Sequence, residues 1–407
     1  MSEETKQTTP RRVLSGMRPT GKLHLGNYMG ALKNWVELQN ATNEDGAPKY
    51  ECYFFIADFH ALTTDYADTS ELPANVKDVL LDFLAAGLDT KRSTIFLQSE
   101  VPAHAELSLL LGMITPLSWL ERVPTYKDQQ EQLKEKDLAT YGFLGYPVMM
   151  SADILVYQTD FVPVGLDQAA HVEITREIAR RFNFLYPTNR DQYSPSKIVK
   201  HDSSGKILLF EIPSPKTPTD STPVFAIQFD QSGVVRKEVD NPKQSIDVVG
   251  VLTEPKVLLT PSPKLPGTDG RKMSKSYGNT ILLSDAEADV RAKLKTMVTD
   301  PARVRRTDVG NPDVCPVFDL HKVFSTVETQ QNVRVGCTTA GIGCIQCKGW
   351  LADAVVKELA PIQERRRYFE AHPDEANAIL DEGAVRANAR AEQTMREVRT
   401  AMRLARR

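Results

Sequence analysis

Near the start of the chain, residues 19–28 read PTGKLHLGNY. This stretch follows a short apolar run, VLSGM (13–17), and leads into MGALKNWVEL (29–38), whose apolar residues have helical spacing. A strand, a glycine-containing turn and a helix in this order are typical of the first unit of a parallel α/β sheet. Because ligands of such sheets bind where strands end and helices begin, the turn predicts a site for a phosphate-bearing ligand.

The sequence that follows continues this alternation of strands and helices. Two apolar runs, YFFIA (53–57) and TIFLQ (94–98), indicate buried strands of a parallel sheet. Helical spacing recurs between and after them, at 71–87, 103–122 and 146–183, and FVPVG (161–165) interrupts the last of these. We therefore predict an α/β fold with a Rossmann-type, doubly wound parallel sheet.

Changes in composition divide the rest of the chain. Short strand-like runs joined by Pro, Ser and Asp indicate a small β-rich insertion, and helical patterns dominate the C-terminal part. The predicted segments are a disordered leader (1–12), the Rossmann-type domain (13–199), the β-rich insertion (200–262), a loop region (263–283) and a helical domain (284–407).

The bulk composition restricts the class of protein. The chain has 407 residues and a net charge of −3, so it is not coated in basic surface. No apolar run approaches the ~18 residues of a membrane span, and the polar first residues lack the apolar core of a secretion signal. We expect a cytoplasmic protein without a membrane or DNA partner. Basic residues concentrate at 290–306 and 385–407, as solvated helix faces or as a contact for a polyanion.

A second motif, Lys272-Met273-Ser274-Lys275-Ser276, lies in a glycine-flanked loop. Two lysines three residues apart, in a loop that glycines allow to move, can close on a polyphosphate. Alone, this motif is equally an exposed basic loop. Together with the turn around His24 it favours a nucleotide triphosphate as the ligand.

Four cysteines are clustered within 33 residues: Cys315, Cys337, Cys344 and Cys347, separated by 21, 6 and 2 residues. This pattern fits a structural zinc, an iron–sulfur cluster or four unrelated reduced thiols, and the spacing alone does not decide among them. Cys52 stands apart beside an apolar run and is predicted to be a buried core thiol.

The paired motifs carry a resemblance to a known family. HLGN followed by KMSKS resembles the nucleotide signatures of class I aminoacyl-tRNA synthetases. PTGKLHLGNYMGAL, ADFHALT (57–63), QSEVPAHAEL (98–107) and SADILVYQTDFVPVGLDQAAHVEITRE (151–177) come in the order found in bacterial-type tryptophanyl-tRNA synthetases. The similarity covers roughly residues 13–185 and 265–407. It implies a tryptophan–tRNA ligase that forms tryptophanyl-adenylate and pyrophosphate from ATP and tryptophan, and then charges tRNA(Trp).

Two alternatives to this assignment are a tyrosyl-tRNA synthetase and a non-catalytic sensor of tryptophan or RNA. The first shares the fold and both motifs, but GNYMGAL and the 151–177 block favour the tryptophan enzyme. A binder that does not charge tRNA has no use for the second lysine of KMSKS, so the intact motif favours an enzyme.

The resemblance also implies roles for individual residues toward ATP. Contacts with ATP and its Mg²⁺-bound phosphates are expected from the residues Arg18, Pro19, Thr20, Gly26, Asn27, Gly165, Leu166, Asp167, Lys272, Met273, Ser274, Lys275 and Ser276. Thr20, His24, Lys272 and Lys275 are the expected catalytic residues, and Lys127 is a further phosphate contact. No protein nucleophile is needed, because the substrate carboxylate attacks the α-phosphorus and the enzyme positions reactants and stabilises charge.

Tryptophan selectivity is expected to depend on Asp153. The indole N–H is only a donor, so a buried acceptor can recognise it, and Asp153 lies in an otherwise apolar helical segment. Apolar walls are expected from Tyr146, Met149, Met150 and Val164. By resemblance, His60 and Gln168 lie near the polar ends of the amino acid.

The C-terminal expectations also follow from the resemblance. A subset of the family carries a [4Fe-4S] cluster at a similar cysteine spacing, which favours that cluster over Zn²⁺. The helical domain is expected to bind the tRNA anticodon, with Arg303, Arg305 and Arg306 as the first candidates for contacts. The family also implies a homodimer.

Overall fold

The computed structural model describes residues 10–122, 139–165, 168–188, 250–259 and 265–404, together with the backbone of four short strands between residues 197 and 237. Residues 1–9 of the predicted leader lie outside this range, and Arg11 and Arg12 already belong to the first strand.

A five-stranded parallel sheet forms the centre of the fold, in the order β3-β2-β1-β4-β9. Its strands are β1 (Arg11–Met17), β2 (Tyr50–Ile56), β3 (Ser93–Leu97), β4 (Phe161–Val164) and β9 (Lys256–Leu259). The strands predicted at 13–17, 53–57 and 94–98 are confirmed as β1, β2 and β3. The order reverses between β1 and β4, which is where doubly wound sheets bind ligands. The predicted α/β class is confirmed.

Four short strands lie between β4 and β9 in the chain and form two antiparallel pairs. They are β5 (Lys197–His201), β6 (Ile207–Glu211), β7 (Ala226–Asp230) and β8 (Gly233–Lys237). The strand β9 lies within the range predicted for the insertion but pairs with β4. The residues of β9 therefore belong to the parallel sheet, and the predicted C-terminal bound of the insertion, residue 262, was wrong.

Helices cover both faces of the sheet. In chain order they are α1 (Leu25–Asn27), which a π-helical turn (Tyr28–Leu32) joins to α2 (Lys33–Asn40), then α3 (Asp58–Asp65), α4 (Leu72–Ala86), α5 (Ala103–Gly112), α6 (Leu117–Leu120), α7 (Tyr141–Val156) and α8 (Ala169–Leu185). Side chains of β2 alternate between two cores, with Phe54 and Ile56 on one side and Tyr53 and Phe55 on the other. Burial on both faces explains why the strands read as continuous apolar runs.

The C-terminal part is helical. It contains α9 (Glu287–Thr296), α10 (Pro316–Phe324), α11 (Val327–Thr338), the 28-residue α12 (Cys344–Ala371) and the 29-residue α13 (Pro373–Ala401). None of the helices in the described part of the chain has the length and apolarity needed to cross a membrane.

The last helix, α13, returns to the sheet and packs along the edge strand β3. A Cβ atom on Gly383 would lie 1.7 Å from the carbonyl oxygen of Ile95, so only glycine allows this approach. Arg386 donates to the carbonyl oxygens of Thr90 and Ser93 at 2.8 and 3.3 Å. The helix therefore covers an edge that would otherwise expose unpaired backbone groups.

Candidate active site

A cavity of about 500 Å³ opens at the carboxyl ends of β1 and β4. Nine of the predicted site residues line it, namely Arg18, Thr20, Asn27, His60, Tyr146, Met150, Asp153, Val164 and Gln168. Met149 is described but does not line this cavity. The fold thus brings together side chains that are separated by up to 150 positions in the sequence.

Asp153 is 1 % exposed and forms the centre of a hydrogen-bond network at the bottom of this cavity. Its Oδ1 accepts from Gln98 Nε2 at 2.8 Å and from His104 Nδ1 at 2.6 Å, while its Oδ2 accepts from His60 Nε2 at 2.9 Å. Oδ1 thus has two donors and Oδ2 has one. Oδ2 retains capacity for a further donor from the cavity.

The protein environment keeps Asp153 ionised. Burial alone would raise the pKa of this carboxyl, but hydrogen bonds from His104 and His60 outweigh burial and hold its pKa well below the usual range. His104 is itself oriented by the hydroxyl of Tyr157, 2.8 Å from its Nε2. The cavity therefore presents a fixed, charged acceptor in apolar surroundings.

Gln98 and His104 are functional partners that the sequence analysis did not identify. Gln98 follows β3 and His104 lies in the first turn of α5, and neither side chain is exposed. Both fall in QSEVPAHAEL, which contributed to the family resemblance without a role for either residue. Buried polar residues at a strand end are the signal that would have indicated them.

The turn that follows β1 is built around His24. The Nδ1 of His24 accepts from the backbone N–H of Asn27 at 3.3 Å, and the Asn27 side chain accepts from the His24 N–H at 3.1 Å. This reciprocal cap starts α1. A Cβ on residue 26 would lie 2.9 Å from the His24 ring, so Gly26 leaves the space that the ring needs.

The Lys272–Ser276 loop docks directly on this turn. Lys275 Nζ donates to the carbonyl oxygens of Gly21 and Thr20 at 2.7 and 3.1 Å. Just beyond the loop, the N–H of Leu283 donates to Leu23 O, and the N–H of Leu25 donates to Ile281 O, both at 2.9 Å. Two motifs about 250 residues apart thus meet at one edge of the sheet.

Asn279 holds the loop in shape and was not predicted. It is 2 % exposed, its Oδ1 accepts from the Ser274 N–H at 2.8 Å, and its Nδ2 donates to Asp269 at 2.7 Å. A Cβ on Gly267 would lie 2.3 Å from the Asn279 side chain. One of the flanking glycines is therefore needed for close packing rather than for movement.

The two motifs also affect each other electrostatically. Burial, with smaller contributions from Lys275 and Lys272, lowers the pKa of His24 to about 4, so the ring is neutral at physiological pH. With Nδ1 accepting from Asn27, the ring proton is on Nε2. Burial lowers the pKa of Lys275 to about 8, while Asp82 and Asp78 oppose that shift.

The other predicted nucleotide contacts have different surroundings. Arg18 donates to Thr64 Oγ1 at 2.7 Å, and burial lowers its pKa. Pro19 lines a second cavity of about 240 Å³ beside Thr20. Gly165 follows β4, and its carbonyl oxygen accepts from the Gln168 N–H at 3.0 Å. Leu166, Asp167 and Lys127 lie outside the described residues.

The four clustered cysteines come together where α10, α11 and α12 meet. None of the four forms a disulfide bond. Burial raises the pKa of Cys347 to about 12, with contributions from the other three thiols. A Cβ on Gly310 would lie 2.6 Å from Cys337 Sγ. In the described part of the chain, no three His, Cys, Asp or Glu side chains converge closely enough to hold a single metal ion.

Arg303 is part of this cysteine site and is not a surface residue. Its guanidinium donates to the carbonyl oxygens of Ile342 and Arg306 and lies 3.5 Å from Cys337 Sγ. It is 8 % exposed and its guanidinium is already bonded within the fold, while its role as a tRNA contact stays a prediction. Arg305 and Arg306 are exposed beside it.

Comparison with known proteins defines the class. The family model for class I tRNA synthetases for tryptophan and tyrosine (W and Y) matches residues 6–206 and 230–360. The chain belongs to this family, which confirms the resemblance found in its motifs.

Individual relatives narrow the assignment to the tryptophan enzymes. The chain is 47% identical to the tryptophan–tRNA ligase of Ralstonia nicotianae over 97% of this chain and 98% of that protein, and 44% identical to that of Thermotoga maritima over 97% and 99%. A crystal structure of tryptophanyl-tRNA synthetase from Campylobacter jejuni, complexed with ADP and tryptophan, is similar with a TM-score of 0.71 and 28% identity, covering 96% of this chain and 99% of that one. The predicted activity, that of a tryptophan–tRNA ligase, is confirmed.

Proposed function

We propose that the chain activates tryptophan with ATP in the cavity between β1 and β4 and then transfers it to tRNA(Trp). The observation that supports this most is the joint geometry of the site. A charged, buried acceptor lies inside the cavity, and a lysine of the second motif docks on the turn at its entrance.

Asp153 is the proposed reader of the indole N–H. Its Oδ2 has one protein donor and faces the cavity, so it can accept a second hydrogen bond from the substrate. A hydrogen bond to an ionised acceptor is worth more than one to a neutral group. Phenylalanine has no donor to offer and leaves the buried carboxylate short of one bond, which is how a site of this kind rejects analogues. Tyr146, Met150 and Val164 are the proposed walls, with His60 and Gln168 beside the amino acid.

The entrance is the proposed ATP site. The turn at residues 18–27, with Gly165, Leu166 and Asp167 as the resemblance implies, is proposed to hold the nucleotide, with Thr20 and His24 toward the phosphates. Lys272 and Lys275, with Met273, Ser274 and Ser276 shaping the loop, are proposed to grip the phosphates when the loop closes. Their positive charge stabilises the departing pyrophosphate, as Mg²⁺ on the same phosphates does.

Amino-acid-dependent ATP–pyrophosphate exchange, run in parallel with tryptophan and tyrosine, tests this proposal. We expect rapid exchange with tryptophan and little with tyrosine. Exchange with tyrosine alone would identify a tyrosyl-tRNA synthetase, and binding of tryptophan without exchange would identify a sensor. Either result would overturn the proposal.

We further propose that Cys315, Cys337, Cys344 and Cys347 bind a [4Fe-4S] cluster. The donor set fits, since the other three thiols lie near enough to Cys347 to act on its pKa and each thiolate can bind one iron of the cluster. A structural zinc on the same four thiolates is the alternative, and the similarity of the cysteine spacing to that of the cluster-bearing subset of the family favours iron–sulfur. Such a cluster would supply a structural link between α10, α11 and α12.

Metal analysis of protein purified without oxygen tests the cluster. Iron and acid-labile sulfide in equal amounts, lost in a Cys337→Ser variant but kept in a Cys52→Ser control, are expected. Stoichiometric zinc in a colourless preparation would contradict this proposal.

We also propose that the enzyme acts in the cytoplasm as a homodimer and binds tRNA through its C-terminal helices. Leu109, Met113 and Leu117 are exposed at a spacing of four residues, and Tyr141 is exposed beside them. An apolar surface of this kind is typical of a protein interface. We propose a second copy of the chain as the partner, as the family resemblance implies. Arg305 and Arg306 remain the proposed tRNA contacts, whereas Arg386 and Arg399 are already bonded within the fold.

A further inference from the structure

A buried acidic residue outside the proposed active site contacts the entrance turn. Asp82 lies in α4 and has no exposed surface. Its Oδ2 accepts from the backbone N–H of Leu23 at 2.8 Å, and its Oδ1 accepts from the guanidinium of Arg366 in α12. Burial raises the pKa of Asp82, while Arg366 and the Leu23 N–H oppose this rise. Because both oxygens accept hydrogen bonds, the carboxylate is the form that this arrangement requires.

Arg366 connects two carboxylates of α4 to α12. It is 3 % exposed, and besides Asp82 it donates to Asp78 at 2.5 Å and to Glu370 at 2.8 Å. The side chain of Glu370 is 46 % exposed and lies on the same helix as Arg366. Arg366 thus pairs with the Asp82 carboxylate, whose charge would otherwise be costly to bury.

The same carboxylates act on Lys275. Asp82 and Asp78 are the two groups that favour its charged form, against the effect of burial. The other titratable groups nearby are His24, which is neutral, and Lys272, which acts on His24. Asp82 therefore affects the entrance in two ways, through the backbone of Leu23 and through its charge.

We propose that Asp82, joined to Asp78 by Arg366, is a positioning residue for adenylate formation: Asp82 fixes the turn ahead of His24, and the negative charge of the two carboxylates attracts the Lys275 ammonium that is bonded to this turn. The turn is anchored by Asp82 at the Leu23 N–H and, at the Leu23 carbonyl oxygen, by the N–H of Leu283 in the segment that follows the second motif. Lys275 lies between these two anchors on the carbonyl oxygens of Thr20 and Gly21. A triphosphate entering here meets a protonated lysine at a defined place. This inference depends on the proposed role of Lys275.

The test compares Asp78→Asn, Asp82→Asn and the control Glu370→Gln in tryptophan-dependent pyrophosphate exchange across pH. In the parent enzyme, we expect kcat/KM for ATP to fall at high pH because Lys275 loses its proton, and this fall is the basic limb of the pH profile. Lys275→Arg should abolish the basic limb, because arginine stays protonated. Removing a nearby negative charge disfavours the protonated lysine. We therefore expect the limb to move to lower pH by about half a unit or more in both Asn variants. Glu370→Gln, which also removes a carboxylate bonded to Arg366, should leave it in place.

A second measurement separates positioning from stability. Asp82→Asn should reduce the single-turnover rate of adenylate formation by roughly 10- to 100-fold without changing tryptophan affinity, since the turn is misplaced. Loss of one partner of a buried ion pair can prevent folding, so Asp82→Asn is at risk of not folding. In that case the test uses Asp78→Asn, because the Asp78 side chain is 25 % exposed and its replacement is better tolerated.

The outcomes distinguish two kinds of failure. If Lys275→Ala leaves adenylate formation unchanged, the proposed role of the lysine is wrong whatever the aspartates do. If Lys275→Ala is impaired but folded Asp78→Asn has the parent pH profile, the positioning inference is overturned.

Discussion

Replacing Asp153 with asparagine changes one functional atom at the proposed tryptophan site. Asparagine can keep its oxygen on the side of Gln98 and His104, whose bonds to Asp153 are 2.8 and 2.6 Å long. Its amide then points to His60 and the cavity, in the place of Oδ2. His60 can accept from this amide by changing its tautomer. The variant should fold, while the indole N–H would meet a donor instead of an acceptor.

The size of the effect follows from these contacts. Losing a hydrogen bond to a charged acceptor costs about 1.5–3 kcal/mol, and leaving a buried donor unpaired costs about 1–3 kcal/mol more. A total of about 2.5–6 kcal/mol corresponds to a loss of roughly 10²- to 10⁴-fold in kcat/KM for tryptophan. Phenylalanine has no N–H on its ring, so its weak activity should barely change. Asp153→Ala removes the acceptor from all three donors and should erase the preference as well, at a larger cost in stability.

The assay is pyrophosphate exchange with tryptophan and phenylalanine in parallel, with a thermal melt of each variant. Asp160→Asn is the matched control, because that carboxylate accepts from the Arg12 N–H at 2.8 Å and does not line the cavity. It should keep the parent preference for tryptophan. A folded Asp153→Asn enzyme with undiminished preference for tryptophan would refute the assignment of Asp153 as the indole acceptor.

Other consequences concern the loop, the last helix and the exposed apolar face. Lys275→Ala should lower the rate of adenylate formation, measured in a single turnover, by roughly 100-fold and leave tryptophan affinity intact. In the parent enzyme, kcat/KM for ATP should fall above about pH 8, where Lys275 loses its proton. An unchanged rate would exclude that role. Gly383→Ala should lower the melting temperature, because its Cβ would lie 1.7 Å from Ile95 O. The control Gly349→Ala should not lower it, because the space around that Cβ is open. Equal melting temperatures of the two variants would mean that α13 does not pack on β3 as described. Met113→Glu should shift a dimer toward monomer in sedimentation velocity, and an intact dimer would place the interface elsewhere.

Local sequence patterns predicted the parts of the fold that local forces determine. The runs at β1, β2 and β3 are apolar because the sheet is buried on both faces, and the glycine turn after β1 has a residue, Gly21, at φ +100. Strand β9 was missed because KVLL is short and follows the insertion. Its place in the sheet depends on pairing with β4, almost 100 residues earlier.

The site was predictable where one motif carries the chemistry and not where distant partners complete it. An aspartate inside an apolar helix indicated Asp153, and the same signal in VLLDFLAA marks Asp82, which was not recognised. Their partners Gln98, His104 and Arg366 lie 55, 49 and 284 positions away, so only the packing of helices on the sheet reveals them. The burial of Arg303 was not predicted, because a basic run does not show which guanidinium is bonded inside the fold.

A crystal structure with tryptophan and a non-hydrolysable ATP analogue tests the central claim most directly. The account predicts one triphosphate held from both sides, with Lys275 Nζ about 3 Å from a phosphate oxygen, the His24 turn on the opposite side, and the indole nitrogen on Asp153 Oδ2. A nucleotide bound away from the 272–276 loop, or an indole ring without contact to Asp153, would contradict it.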